Sequence, residues 1–223
     1  AMVRPGDTIG LNGGTTTTEV AREVALLPDL TDPETPVTIV TNAVNIASEL
    51  TVRQCVRVVV TGGAARARSY ELTGPLSSLI LPQISIGTLF LGVEGVNGHG
   101  LYASHEGEAA VNAALVRAAR RVVVVADHTK LGEAAFALIC RTSEIDELIT
   151  DEAAEPEAVE ALRAAGRTVV VIAHRSALLA LADEVVTVSS APLDDGGPDD
   201  GGPDSPSADH VPSTAREHTE VRP

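Results

Sequence analysis

Runs of valine and isoleucine alternate with amphipathic segments from residue 6 to residue 173, and this alternation constrains the fold more than any other feature. Several runs are continuously apolar, which is typical of strands that are covered on both faces in a parallel sheet. The predicted strands are Thr8–Leu11, Val37–Val40, Val56–Thr61, Thr88–Leu91, Val122–Ala126, Leu148–Thr150 and Thr168–Ile172.

The segments between these strands have helical spacing. Val111, Ala114, Leu115 and Ala118 form one apolar stripe at helical intervals. Helices are predicted near residues 16–27, 43–51, 75–81, 106–120 and 156–165. Strands and helices in alternation predict an α/β fold that is doubly wound around a mostly parallel sheet.

The turn after the first predicted strand is the strongest candidate for a functional site. It reads Asn12-Gly13-Gly14-Thr15-Thr16-Thr17-Thr18-Glu19. Glycines let a backbone turn tightly and approach a ligand closely. The N–H groups that follow would stand at a helix N-terminus, where the helix dipole favours an anion such as phosphate. The alternative is a plain turn in which one threonine caps the helix.

Lys130 is the only lysine, against fifteen arginines. A nucleotide-binding Walker loop needs Gly-Lys followed by Ser or Thr, whereas Lys130 stands between Thr129 and Leu131. The glycine turn is therefore not predicted to hold a nucleoside triphosphate in the usual cradle. Lys130 follows a predicted parallel strand, where ligands of open α/β sheets bind, so we expect it to contact a ligand.

Polar residues also follow the other predicted strands. Because the carboxyl ends of parallel strands share one edge of a sheet, we expect them to converge on one pocket with the glycine turn. Phosphate donors would lie at one end of this pocket, and carboxylates with an ammonium group, suited to sugar hydroxyls, at the other. The residues concerned are Thr41, Asn42, Gly62, Gly63, Arg66, Glu94, Asp127 and Lys130.

Composition excludes several classes of function. The formal net charge of −15 argues against DNA or anionic membranes as direct partners of this chain, since phosphate contacts need Lys and Arg. Cys55 and Cys140 lack pairing or metal spacing, as expected of reduced cytoplasmic thiols. The six histidines lack zinc-ligand spacing, and we expect neither metal, cofactor nor membrane span.

The last 33 residues, 191–223, differ in composition from the rest of the chain. They contain six prolines, four glycines and eight acids against two arginines. Such a segment buries too little apolar surface to offset its chain entropy. We therefore predict one α/β domain over residues 1–190 and a disordered acidic tail over 191–223.

Taken in order, these motifs resemble the effector-sensing domain of DeoR-type bacterial repressors. The resemblance covers residues 4–172, and its specificity lies in the ordered set. The matching stretches are Arg4-Pro5-Gly6-Asp7-Thr8-Ile9, Asn12-Gly13-Gly14-Thr15-Thr16, Val40-Thr41-Asn42, Gly62-Gly63 with Arg66, Leu72-Thr73-Gly74-Pro75, Phe90-Leu91-Gly92-Val93-Glu94-Gly95, Gly100-Leu101, Glu108-Ala109-Ala110-Val111, Ala126-Asp127-His128-Thr129-Lys130 and Ile145-Asp146 to Thr150-Asp151.

The resemblance implies a sensor for a phosphorylated sugar that regulates sugar-catabolic genes. It also implies the fold of ribose-phosphate isomerases and glucosamine-phosphate deaminases, and adds Glu108 to the candidate ligand-binding residues. The family carries a winged helix-turn-helix of about 60 residues before this domain, so DNA binding is expected only through such a segment, which has no counterpart in this sequence. We further expect a homo-oligomer.

Two alternatives remain open at this point. Glu94, Glu108 and Lys130 together would suit an isomerase-like enzyme, although Leu91 stands where the related isomerases have the first acid of their motif. Residues 167–186 resemble a short segment of an ATP-binding cassette ATPase, but its phosphate-binding and signature motifs are absent from the sequence. Binding without catalysis is the simpler interpretation, so no catalytic residue is predicted.

Overall fold

The computed structural model describes residues 3–30, 32–172, 185–186 and 221–222. Its helices are α1 Thr15–Leu26, α2 Val44–Leu50, α3 Pro75–Leu79, α4 Glu106–Ala118 and α5 Pro156–Ala164. Its strands are β1 Thr8–Leu11, β2 Val37–Thr41, β3 Val56–Val60, β4 Ala64–Ala65, β5 Leu72–Thr73, β6 Ile86–Leu91, β7 Gly95–Val96, β8 Gly100–Ala103, β9 Ala119–Val125, β10 Ala137–Arg141, β11 Glu147–Asp151, β12 Thr168–Ile172, β13 Val185–Val186 and β14 Val221–Arg222. Each strand and helix predicted from the sequence is present.

A seven-stranded parallel sheet forms the centre of the domain, in the order β12-β11-β9-β6-β1-β2-β3. The chain starts in the middle with β1, builds outward to β3, then returns to β6 and builds outward to β12. The direction of winding therefore reverses between β1 and β6. This order confirms the doubly wound α/β prediction, and ligands of such sheets bind at the reversal.

The core lies on both faces of this sheet. One cluster of buried side chains contains Ile9, Leu11 and Phe90, together with residues of α1 and α2. The other contains Leu89, Leu91 and residues of α4, α5 and the smaller strands. Neighbouring residues of one strand thus pack on opposite sides, which explains why the strands are continuously apolar.

Two small antiparallel sheets are additions that the sequence did not predict. Strands β7, β8 and β10 form a three-stranded sheet, and β4 pairs with β5 in a hairpin. Their two to five residues are too short to display a clear alternation of polar and apolar side chains. The β4–β5 hairpin matters for function because it carries residues 66–71 across the carboxyl edge of the main sheet.

Beyond residue 172 little of the chain is described. Strand β12 agrees with the last predicted strand, whereas residues 173–184 of the cassette-like segment lie outside the described residues. Strands β13 and β14 pair antiparallel, and the remainder of the predicted acidic tail is likewise outside the described residues. The domain boundary at residue 190 therefore stays a prediction.

Candidate functional site

The register of the central strands places the candidate loops side by side at one edge of the sheet. Leu11, the last residue of β1, pairs with Thr41 of β2 and with Phe90 of β6. Residues that follow these three strands must therefore meet at the carboxyl edge of the sheet. This edge includes the reversal between β1 and β6, where the sheet opens a crevice.

Asn12 joins the two strands that flank the reversal. Its Oδ1 accepts a hydrogen bond from Gly92 N–H at 2.8 Å, and its Nδ2 donates to the Gly92 carbonyl at 2.9 Å. The side chain is only 2% exposed, so both bonds are shielded from water. Asn12 thus holds the glycine turn in place. Because both polar atoms of its side chain bond Gly92, contact with a ligand falls to the neighbouring residues of the turn.

Helix α1 begins directly after the glycine turn and has no side-chain cap. Gly14 has a φ of 142°, a conformation that side-chain-bearing residues rarely adopt, and lies at the N-cap position. Gly14, Thr15 and Thr16 are all exposed. Their N–H groups, at the positive end of the helix dipole, can therefore bind an anion from solvent.

The threonine cluster divides into an outer and an inner pair. Thr17 and Thr18 are buried, and their hydroxyl groups donate to the Gly14 carbonyl at 3.1 and 2.7 Å. These hydroxyls fix the first turn of α1. Thr17, predicted as a ligand-binding residue, is thus placed inside the helix packing, while Thr15 and Thr16 face the solvent.

Gly13 lies against a buried carboxylate that the sequence analysis did not single out. The Gly13 N–H donates to Glu71 Oε1 at 2.8 Å, and a Cβ on Gly13 would stand 2.4 Å from Glu71 Cγ. Glu71 is 4% exposed, and its Oε2 has no hydrogen-bond partner among the described residues. Burial, and secondly the nearby Glu108 carboxylate, raise the pKa of Glu71 to about 7.

Glu108 reaches the same place from α4 and is held by the loop between β4 and β5. Its Oε1 lies 2.9 Å from Arg66 Nε and accepts a hydrogen bond from Ser69 Oγ at 2.5 Å. The loop itself is fixed to the start of α2, because Tyr70 O accepts from Val44 N–H at 3.0 Å. The structure therefore brings Arg66 and Glu108, both predicted site residues, beside Glu71.

Thr41 and Asn42 form the floor of the site and are fully buried. The Thr41 hydroxyl accepts from Ala43 N–H at 3.0 Å, so it stabilises the turn into α2. The Asn42 side-chain amide faces Glu71, but neither of its polar atoms completes a hydrogen bond with a described residue. A buried amide without partners is costly, so the Asn42 amide is free to form hydrogen bonds with a group that enters the site.

The Gly62-Gly63 pair is explained by packing of the chain on itself. Both glycines have positive φ, at 85° and 116°. The Gly62 carbonyl accepts a hydrogen bond from the Ser77 hydroxyl at 2.7 Å, and a Cβ on Gly63 would lie 2.1 Å from Ser77 Oγ. These glycines allow the hairpin to close over the end of β3.

Lys130, Glu94 and Asp127 lie along the ends of β6 and β9. Lys130 Nζ is 3.8 Å from Glu94 Oε2, and both side chains are substantially exposed. Asp127 accepts hydrogen bonds from Thr129 that cap the short turn carrying Lys130, and these bonds lower the pKa of Asp127. Among the described residues no hydrogen bond or ion pair joins Lys130 or Glu94 to Glu71, so the edge holds two separate polar groups.

The class of this chain is an open, doubly wound α/β domain with an uncapped helix at its reversal point. Residues 1–152 match the DeoR C terminal sensor domain. Since this match spans more than half of the 223 residues, the chain belongs to the family of DeoR C-terminal sensor domains.

Curated relatives agree with this assignment. The HTH-type transcriptional regulator GlpR of Haloferax volcanii is 34% identical over 166 residues, which cover 74% of this chain and 62% of that protein. The HTH-type transcriptional repressor GlcR of Bacillus subtilis is 29% identical over 153 residues, covering 68% and 55%. This chain spans only about three fifths of the length of such relatives. The matched share is 62% of Haloferax volcanii GlpR and 61% of a putative aga operon transcriptional repressor from Escherichia coli O157:H7.

Solved structures with partial similarity include two isomerases. Ribose 5-phosphate isomerase A from Methanocaldococcus jannaschii aligns with a TM-score of 0.40 and 18% identity, over 57% of this chain and 48% of that chain. Ribose 5-phosphate isomerase from Plasmodium falciparum aligns with a TM-score of 0.41 and 13% identity, over 58% and 46%. The fold assignment given above depends on the strand order alone.

None of the helices in the described part of the chain is long and apolar enough to cross a membrane. Within the same residues, no group of three or more His, Cys, Asp or Glu side chains is arranged to hold a metal ion.

Proposed function

We propose that this chain is the effector-binding domain of a bacterial transcriptional regulator of sugar metabolism and that its effector is a phosphorylated sugar. The observation that carries this proposal is the start of α1. Gly14, Thr15 and Thr16 are exposed at the reversal point of the sheet, and no side chain caps the N–H groups of this helix start, where an anion is favoured. Family membership supports the regulatory role.

In this proposal the phosphate binds at the start of α1, and the sugar extends along the carboxyl edge toward β6 and β9. Glu94 and Lys130 are accessible there, and a carboxylate with an ammonium group can accept from and donate to sugar hydroxyls. Arg66 and Glu108 close the opposite side.

The domain is proposed to bind its effector without converting it. Leu91 occupies the position of the first acid in the motif of the isomerases that the sequence resembles, and it is fully buried and apolar. Proton transfer through an enediol needs a carboxylate base within reach of the substrate, and Leu91 cannot supply one. The relatives are named as transcriptional regulators, in keeping with this assignment.

DNA contact is assigned to a helix-turn-helix segment outside this sequence. Relatives that this chain matches over three fifths of their length are named HTH-type regulators, and the net charge of −15 disfavours contact with phosphate backbones. We further propose that the protein acts in the cytoplasm as a homo-oligomer.

A thermal-shift panel tests the proposed function. Ribose 5-phosphate, fructose 6-phosphate or glucosamine 6-phosphate is expected to raise the melting temperature, because a ligand at a hundred times its Kd stabilises the native state by about 2.7 kcal/mol. The corresponding unphosphorylated sugars and ATP should give no comparable shift.

A Thr15→Pro variant tests whether the start of α1 is the part of the chain that binds the phosphate. Proline at the first helical position keeps a helix intact but removes one N–H group, as the native Pro156 illustrates at α5. The variant should melt like the wild type without ligand and respond less to a sugar phosphate. Stabilisation by ATP alone, or by no sugar phosphate tested, would contradict the proposed function.

A further inference from the structure

Glu71 is built into the anion-binding loop although nothing in the ordinary stability of the fold requires a carboxyl group there. Its carboxylate accepts a hydrogen bond from the Gly13 N–H, and its side chain occupies the space that a side chain at residue 13 would fill. Glu71 is only 4% exposed to solvent. One of its oxygens, Oε2, has no partner among the described residues. A buried acid of this kind sits where an incoming anion would repel it.

The charged and polar groups around Glu71 come from four parts of the chain. The Glu108 carboxylate approaches from α4, and Arg66 from the β4–β5 loop is paired with Glu108 at 2.9 Å. Asn12 and Gly13 approach from the turn after β1, and the Asn42 amide from the end of β2. Arg66 is paired with Glu108, so its charge offsets only part of the effect of burial and of Glu108 on Glu71.

We propose that Glu71 is the positioning residue of the anion-binding loop and that binding of an anion at the start of α1 is accompanied by net proton uptake at the Glu71 carboxyl group. This inference rests on the proposed function. The proton comes from solvent and forms an O–H bond on Oε2. The side-chain amide of Asn42 faces Glu71 and can supply the acceptor for this O–H group by presenting its oxygen.

The direction of the effect follows from charge repulsion. An ionised Glu71 beside the loop raises the free energy of a bound anion, since like charges at short range in a partly buried site repel. Burial and Glu108 already raise the pKa of Glu71 to about 7, and the bound anion raises it further. Anion affinity should therefore be highest below this pH and fall as the pH rises through it.

Inorganic sulfate is the probe of choice, because its own charge does not change near neutral pH. For the wild-type chain, the Kd of sulfate is expected to increase on the order of tenfold between about pH 6 and about pH 8.5. This increase corresponds to anion binding that raises the pKa of the Glu71 carboxyl group by about one. Calorimetry in buffers of different ionisation enthalpy should show proton uptake on binding near pH 7.

Two variants separate Glu71 from other titrating groups. Glu71→Gln keeps an acceptor for Gly13 N–H but cannot ionise, so its sulfate affinity should vary by less than about twofold over the same range. Glu160→Gln, on the exposed face of α5, makes the same charge change elsewhere and should keep the wild-type pH profile. Both variants leave every histidine of the chain unchanged.

The outcomes distinguish this inference from the proposed function. Sulfate binding with an equally steep pH profile in Glu71→Gln, or wild-type binding without proton uptake, would overturn the role of Glu71 while leaving the anion site intact. Absence of binding by sulfate and by every sugar phosphate would overturn the proposed function and this inference with it. If Glu71→Gln fails to fold, absence of proton uptake by the wild type overturns the inference, and uptake that Glu160→Gln retains supports it.

Discussion

A Gly13→Ala variant is expected to lose sugar-phosphate affinity by on the order of a hundredfold and to lose about 1–3 kcal/mol of stability. The added Cβ would lie 2.4 Å from Glu71 Cγ and 2.8 Å from Oε1, so the turn and the buried acid cannot both keep their places. Gly13 lacks the positive φ of its neighbour Gly14, so the effect is steric rather than a matter of backbone strain. Urea denaturation and calorimetric titration measure the two losses.

Gly98→Ala is the matched control for this substitution. A Cβ at Gly98 would meet only the Ala161 carbonyl, at an ordinary contact distance of 3.7 Å. The double variant Gly13→Ala with Glu71→Ala removes the obstructing Cγ and should recover part of the stability lost in Gly13→Ala, giving a favourable coupling between the two sites. Wild-type affinity and stability in Gly13→Ala would mean that the turn is not held by Glu71.

Replacement of Asn12 by alanine should destabilise the domain by about 2–5 kcal/mol. The side chain makes two shielded hydrogen bonds to Gly92, and its removal leaves both an N–H and a carbonyl of the β6 end without their partner. These groups lie at the crevice between β1 and β6, so anion binding should weaken as well. Urea denaturation monitored by circular dichroism measures the loss.

Asn45→Ala provides the comparison for Asn12→Ala. Asn45 is half-buried and donates a single hydrogen bond to Thr18 Oγ1 at 3.0 Å, so its removal should cost only about 1 kcal/mol. Equal losses in the two variants would show that the reversal point is held together by contacts other than those of Asn12.

The architecture was readable from the sequence because its signals are local and repeated. The continuous apolar run of β2 is buried on both faces of the sheet, as such runs predict. The run of β12 forms a strand as well, but β12 lies at the edge of the sheet and its Val170, Val171 and Ile172 are exposed. The start of β9 at Ala119 was placed three residues too late, because the arginines at 120 and 121 look like the end of a helix. In the fold Arg121 instead pairs with Glu147 of the neighbouring strand.

The candidate site was only partly readable, since its key contact is made across 58 residues of chain between Gly13 and Glu71. Glu71 stands between Tyr70 and Leu72 in a short segment without periodicity, and only the folded hairpin brings it under the glycine turn. The residue type gave no clue, because an acid in a loop is normally solvated.

Several residues predicted as ligand contacts have places in the fold that the sequence could not reveal. Thr17 and Thr41 use their hydroxyl groups within the backbone turns that follow β1 and β2. Gly62 and Gly63 make room for Ser77. A hydroxyl or a glycine at a strand end suits a ligand and a tight turn equally well, and only the position of its partners separates the two.

The central claim is that an anion binds at the start of α1, and its most direct test is an amide NMR titration of the full chain with inorganic sulfate and then with ribose 5-phosphate. The largest saturable changes are expected at the amides of Gly14, Thr15 and Thr16, with smaller ones at Gly13. Changes confined to other regions, such as the start of α4 at Glu106, or no saturable change at residues 13–16, would contradict the claim.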